Sequence, residues 1–202
     1  MALALLAIFM KGQSDGDSRW RLNGRMFFLG AGFMLVETKA VVHMALLFGS
    51  TWMVNTVVFA GVLVMILAAN LFVWRFRPTF LAPYYTGLMV ALGLNVLISL
   101  DSFLGVNRLL QVAASGLLVF TPILFGGIIF AIAFQQSVRP HQAFGANIAG
   151  AMFGGLAENS SMLIGFQYLG PVGIGFYALS AFFRRARPLP MPAHASSGEG
   201  RL

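Results

Sequence analysis

The sequence predicts an all-α, polytopic membrane protein: six transmembrane helices in one bundle, with both termini cytoplasmic. Three observations carry this. Of 202 residues, 58% are hydrophobic and only 9% charged, whereas a soluble domain of this size needs roughly 25% charged residues to cover its surface. The apolar residues form six blocks separated by short polar, Gly- or Pro-containing breaks, and mean hydropathy is +0.83. If alternate breaks share a side, that side collects eleven basic residues: Lys11, Arg19, Arg21, Arg25, Arg75, Arg77, Arg139, Arg184, Arg185, Arg187 and Arg201. The other side receives Arg108 alone. Such an asymmetry marks the cytoplasmic face.

The elements follow in order. Residues 1–25 read as an N-terminal interfacial segment and linker. MALALLAIFM spans only about 15 Å as a helix, half the roughly 30 Å membrane core. It suits an interfacial helix, or the remnant of a helix from a longer parent; a cleaved signal is the alternative, weakened by the missing basic n-region. The six spans together cover residues 26–183. The first spans about 26–48, and Gly49-Ser50-Thr51 turns the chain, with Thr51 a suitable N-cap for a span over 52–76. Arg75, Arg77 and Pro78 end it. The third span starts near Pro83, a favoured first helical residue, and ends near 100. The fourth, 108–135, is longer than the core requires and kinks or tilts at Pro122. Arg139-Pro140-His141 reads as a loop. The fifth span covers 143–166, with a helix break at Asn159-Ser160-Ser161 as an alternative, and the sixth 168–183. Residues 184–202 read as a disordered, basic cytoplasmic tail. Trp20, Trp74, Tyr84 and Tyr85 then fall at the cytoplasmic interface, with Trp52 and Tyr168 at the opposite one.

Composition also excludes functions. With no cysteine there is no disulfide, thiolate metal site or Cys nucleophile. The net charge of +7 is scattered between apolar blocks, so no nucleic-acid face is expected. The chain contains no GxGxxG after a strand, P-loop, HExxH or GxSxG. No catalytic residue, no metal site and no enzyme activity are expected.

The residues that stand out lie inside spans. A charge at mid-membrane costs at least about 2.5–3.5 kcal/mol on insertion scales, so it rarely faces lipid and usually has a partner. The first span carries Glu37, Thr38, Lys39 and His43. At 100° per residue, Lys39 and His43 share a face with Gly32, while Glu37 points roughly 160° away from Lys39, alongside Gly30 and Met34. In the fifth span Asn147, Gly150, Gly154, Glu158, Ser161 and Gly165 lie within about 60° of one direction. Gly150 and Gly154 form a small-residue notch for a neighbouring helix. Depth counting pairs Glu158 with Lys39, His43 nearby. Two readings of that pair stand side by side: an ion pair that only orients helices, or a polar site for a cation, proton or amine. Glu37 is left without an assigned partner. Asn55, Asn70, Asn95 and Asn147 read as interhelical hydrogen-bond donors. No cofactor is expected, because His43 is the only histidine in a span, His141 and His194 lying outside. A single pigment or haem held by His43 is the minor alternative.

Residues 27–71 (FFLGAGFMLVETKAVVHMALLFGSTWMVNTVVFAGVLVMILAANL) resemble the membrane region of large bacterial spermidine synthase-like proteins, in which a major-facilitator-like region is fused to an aminopropyltransferase domain. The ETK in mid-helix, the LFGSTW turn and the following Val-Asn carry the resemblance. VFTPILFGGIIFAIAF (119–134) and FGANIAGAMFGGLAENSSMLIG (144–165) resemble later blocks of that region. It covers residues 27–183 and implies a bacterial inner-membrane location, with Glu37, Lys39, Asn55 and Glu158 at family-like positions. The soluble Rossmann-type catalytic unit has no counterpart here, so the synthase activity does not carry over.

Three functions follow as expectations. The first is a non-catalytic membrane subunit or module packing into a larger assembly, its partners being the bilayer and other membrane subunits or further copies of itself. The second is a half-sized transporter or channel for a cationic, polyamine-like solute, acting as a dimer. The third is a membrane anchor for a separate aminopropyltransferase.

Overall fold

A computed structural model describes residues 17–98, 107–137, 139–161 and 165–183. Among the described residues the chain is all-helical, with six α-helices and no strand. They are α1 (Asp17–Phe48), α2 (Trp52–Phe76), α3 (Ala82–Leu97), α4 (Arg108–Gln135), α5 (Pro140–Asn159) and α6 (Leu169–Phe182), with a 3-10 turn, Phe166–Tyr168, before α6. Three stretches are long and apolar enough to cross a membrane: Asn23–Phe48, Trp52–Phe76 and Leu110–Gln135. The expected interfacial helix at 1–10 and the tail at 184–202 lie outside the described residues.

Local chemistry sets the helix ends. Gly49 closes α1 at φ 95, a left-handed conformation that glycine adopts without a Cβ penalty. The Thr51 hydroxyl caps α2 by accepting from the Val54 N–H at 3.3 Å. α2 ends at Arg77, whose φ of 44 is left-handed and whose N–H returns to the Val73 carbonyl. Pro78 prevents continuation. Proline also sits in the first turn of α3 and of α5, where its missing N–H removes a donor the helix would not use.

Three boundaries differ from the sequence expectation. The linker over 11–25 is helical from Asp17, and Asn23 and Arg25 are buried in the bundle (6% and 5% exposed). The loop at 139–141 is shorter than expected, since α5 begins at Pro140. The fifth span stops at Asn159 instead of 166. There the Ser160 hydroxyl bonds back to the Ala157 carbonyl, a side-chain competition that ends helices, and Gly165 turns the chain at φ 104.

Contact order along the chain fixes helix direction. Phe27 meets Gly150, Ala31 meets Gly154 and Thr38 meets Glu158, so α1 and α5 run the same way. Gly61 with Phe120 and Ala69 with Gly127 make α2 and α4 parallel. Gly24 with Phe183, Gly32 with Tyr177 and Lys39 with Gly170 make α1 and α6 antiparallel. Gly87 with Phe125 and Asn95 with Leu118 do the same for α3 and α4. Tyr85 with Ser180 and Val96 with Gly170 set α3 against α6. Odd-numbered helices therefore point one way and even-numbered helices the other.

α1 is the hub, packed on α2, α4, α5 and α6, and it buries Met26, Leu29, Ala31, Leu35, Val36, Ala40 and Met44. α2 is its opposite. Trp52, Leu63, Leu67 and Trp74 are each about two-thirds exposed or more, an apolar outer surface that suits lipid. Tyr85, expected in the aromatic belt, is instead buried at 5% exposure. Its hydroxyl bonds the Ser180 hydroxyl at 2.8 Å, and Ser180 donates to the Arg25 carbonyl at 3.2 Å. This ties the starts of α3 and α1 to the end of α6.

Candidate functional site

The polar residues of α1 divide between two neighbours. On one side is the α1–α5 seam. A Cβ on Gly30 would strike the Asn147 carbonyl, one on Gly150 the Phe27 carbonyl, and one on Gly154 would lie 2.6 Å from the Ala31 carbonyl. The two backbones therefore approach as closely as small residues allow. Asn147 Nδ2 donates across the seam to the Met26 carbonyl at 3.0 Å. Farther along, the Thr38 hydroxyl donates to Glu158 Oε2 at 3.0 Å.

On the other side Lys39 reaches α3 and α6. Its Nζ donates to the Asn95 carbonyl at 3.3 Å, and a Cβ on Gly170 would come within 2.8 Å of it. Asn95 lies in the last turn of α3, where helix carbonyls commonly lack an intrahelical donor. A cation is favoured at that end of the helix dipole, so Lys39 acts as a C-terminal cap supplied by another helix. Asn95 Nδ2 in turn donates to the Leu118 carbonyl of α4 at 3.3 Å. Leu118 lies four residues before Pro122, which sits inside α4 and is buried. Proline has no N–H to give that carbonyl, and a backbone acceptor left unpaired within a membrane costs several kcal/mol. Asn95 supplies the missing donor. Lys39, Asn95 and Leu118 thus join α1, α3 and α4 in one polar chain.

The expected Lys39–Glu158 ion pair is not formed. The two side chains leave α1's environment in different directions, Glu158 toward Thr38 on the α5 side and Lys39 toward α3 and α6. Helix-wheel geometry placed Lys39 on the Gly32 face, and that face packs on α6 through Tyr177 rather than on α5. Glu37 and His43, both half-buried, make no hydrogen bond or ion pair to the described residues. Of the asparagines, Asn70 turns back to the Ile66 carbonyl of its own helix at 2.9 Å, and Asn55 makes no side-chain hydrogen bond to the described residues. Ser161 is half-buried and its carbonyl accepts from the Gly165 N–H at 2.8 Å.

Two features escaped sequence reading. Tyr177, 1% exposed, lies with its ring against Gly32 and its hydroxyl against Gly126, each 3.0 Å from where a Cβ would stand. That hydroxyl is buried and has no hydrogen-bond partner among the described residues. The glycines in both facing helices were the available signal. The second is the partner of Asn95, itself expected as an interhelical donor: Pro122 was the signal for Leu118, since an internal proline frees the carbonyl four residues earlier. Among the described residues no three His, Asp or Glu side chains gather as metal ligands. No family model, curated protein or solved structure matches the chain.

Proposed function

We propose that this chain is a non-catalytic integral membrane module, crossing the bacterial inner membrane six times with both termini cytoplasmic and packing against other membrane proteins. One observation carries the reading: four polar side chains inside the helices are occupied in joining helices to each other. Lys39 caps α3, Asn95 completes α4, Thr38 holds Glu158, and Asn147 holds the Met26 carbonyl of α1. The space beside Lys39 leaves only about 10 Å³ in which the centre of a water molecule fits, far below the roughly 300 Å³ of an ordinary ligand pocket. Helix direction supports the six crossings, since alternating helices are what six successive passes require. The eleven-to-one distribution of basic residues supports the orientation. The resemblance to the membrane region of spermidine synthase-like proteins is part of the same proposal, with that family's catalytic unit left aside.

Glu37 favours a second reading. It is a half-buried ionisable group of α1 without a partner among the described residues, and in a dimeric transporter it and Glu158 would attract a cationic solute. Native mass spectrometry after mild solubilisation separates the readings. A module appears in fixed stoichiometry with a larger membrane complex; a separately encoded aminopropyltransferase in that complex would make it an anchor. A lone monomer contradicts the module, and amine uptake abolished by Glu37→Gln would put the transporter in its place.

A further inference from the structure

A small cavity lies where α1, α3, α4 and α6 meet. Leu35, Lys39, Leu92, Asn95, Val119 and Gly170 line it, and its volume is about 10 Å³. That is the size at which a cavity admits one water molecule. An apolar cavity of this kind stays dry, but a polar one holds water when two to four hydrogen-bonding groups face it. Here two neighbouring side chains that line the cavity, Lys39 and Asn95, can supply such groups. The Lys39 ammonium carries three N–H donors, and one of them is used, on the Asn95 carbonyl. Asn95 is 8% exposed and its Nδ2 is committed to the Leu118 carbonyl. That bond needs a donor, which fixes the amide orientation and turns the acceptor oxygen, Oδ1, away from α4. Oδ1 accepts nothing from the described residues.

We propose that this cavity binds a single ordered water, which accepts a hydrogen bond from the Lys39 ammonium and donates one to Asn95 Oδ1. The water gives the ammonium a second acceptor inside the bundle and links α1 to α3 by two routes, one direct and one bridged. It also sets a limit on the site: with Gly170 a Cβ away from Nζ and Val119 3% exposed on the facing wall, nothing larger than water enters without moving a helix. An organic amine or a carboxylate is excluded by the same wall.

The test is a structure of the full chain in lipid at a resolution that shows ordered solvent, compared with the Val119→Ile variant. Val119→Ile adds one methylene to the cavity wall and leaves Lys39, Asn95 and Leu118 in place. The wild-type protein shows one density peak within hydrogen-bond distance of both Nζ and Oδ1, and the variant loses it while the six helices superpose. Continuous density between the two groups and lipid, or no peak with both side chains well placed, overturns the proposal. So does a peak that persists unchanged in the variant. Lys39→Met, which removes the donating ammonium, serves as the second variant if Val119→Ile disturbs α4; the peak is lost there too, and a peak that persists overturns the proposal.

Discussion

The two sides of α1 are held by different physics. Toward α5 the helix is pared down to Gly30 and Ala31 against Gly150 and Gly154, and backbone meets backbone over several turns. Toward α3 it extends the full-length Lys39 side chain, with hydrogen bonds at the helix end and around Pro122, while toward α6 Gly24 and Gly32 take the rings of Phe183 and Tyr177. In a membrane, where lipid is as apolar as leucine, helices associate by close packing and by polar bonds. Close packing dominates toward α5, where Asn147 and Thr38 add two hydrogen bonds, and polar bonds dominate toward α3. The seam should therefore respond to added volume, and the polar side to lost donors.

The largest effect is expected in the seam. Gly150→Ala places a methyl on the Phe27 carbonyl, a backbone obstacle that no side-chain rotation relieves. Thermal unfolding in detergent should report a loss of about 3 kcal/mol, the upper part of the overpacking range. Gly155→Ala, on the same helix with nothing within 4 Å of its new Cβ, should instead stabilise by up to about 1 kcal/mol through helix propensity. Equal effects would break the distinction between a packed and an open face of α5.

On the polar side, Asn95→Leu should cost about 1 kcal/mol, within the measured range for interhelical hydrogen bonds in membranes. The sharper form is a double-mutant cycle. Pro122→Ala restores an N–H that can reach the Leu118 carbonyl, so in that background the cost of Asn95→Leu should shrink. Additive effects would show that Asn95 does not answer the proline. Thr38→Val keeps the side-chain shape but removes the hydroxyl from Glu158, and a loss of about 0.6 kcal/mol is expected. Tyr177→Phe is predicted at zero or slightly stabilising, because it deletes a buried hydroxyl that has no partner among the described residues. A clear destabilisation by Tyr177→Phe would reveal a bond this description lacks.

Much of the architecture was legible in the sequence because it depends on composition and period. Apolar block length located the six helices, and Thr51, Pro78 and Pro83 marked ends by local backbone chemistry. The Lys39–Glu158 pairing was not legible. Depth along two helices can be counted from a sequence, but which face of α1 meets α5 depends on the packing of all its neighbours. The wheel placed Lys39 with Gly32, and only the position of Tyr177 assigns that face to α6. The early end of α5 shows another limit. Asn159, Ser160 and Ser161 are tolerated in or out of a helix, and Gly165 settles the matter only once its left-handed conformation is seen. The buried Tyr85 shows the same for the aromatic belt, since an interfacial tyrosine and one hydrogen-bonded to Ser180 read alike in one dimension.

The six alternating crossings are the claim on which the rest depends, and the chain is suited to a direct test because it has no cysteine. Single cysteines at Ser50, Thr79, Gln136 and Gln167 would each be probed in intact cells with a membrane-impermeant maleimide. The account predicts labelling from outside at Ser50→Cys and Gln167→Cys, and protection until lysis at Thr79→Cys and Gln136→Cys. Labelling of Thr79→Cys or Gln136→Cys in intact cells, or protection of Ser50→Cys, would contradict it.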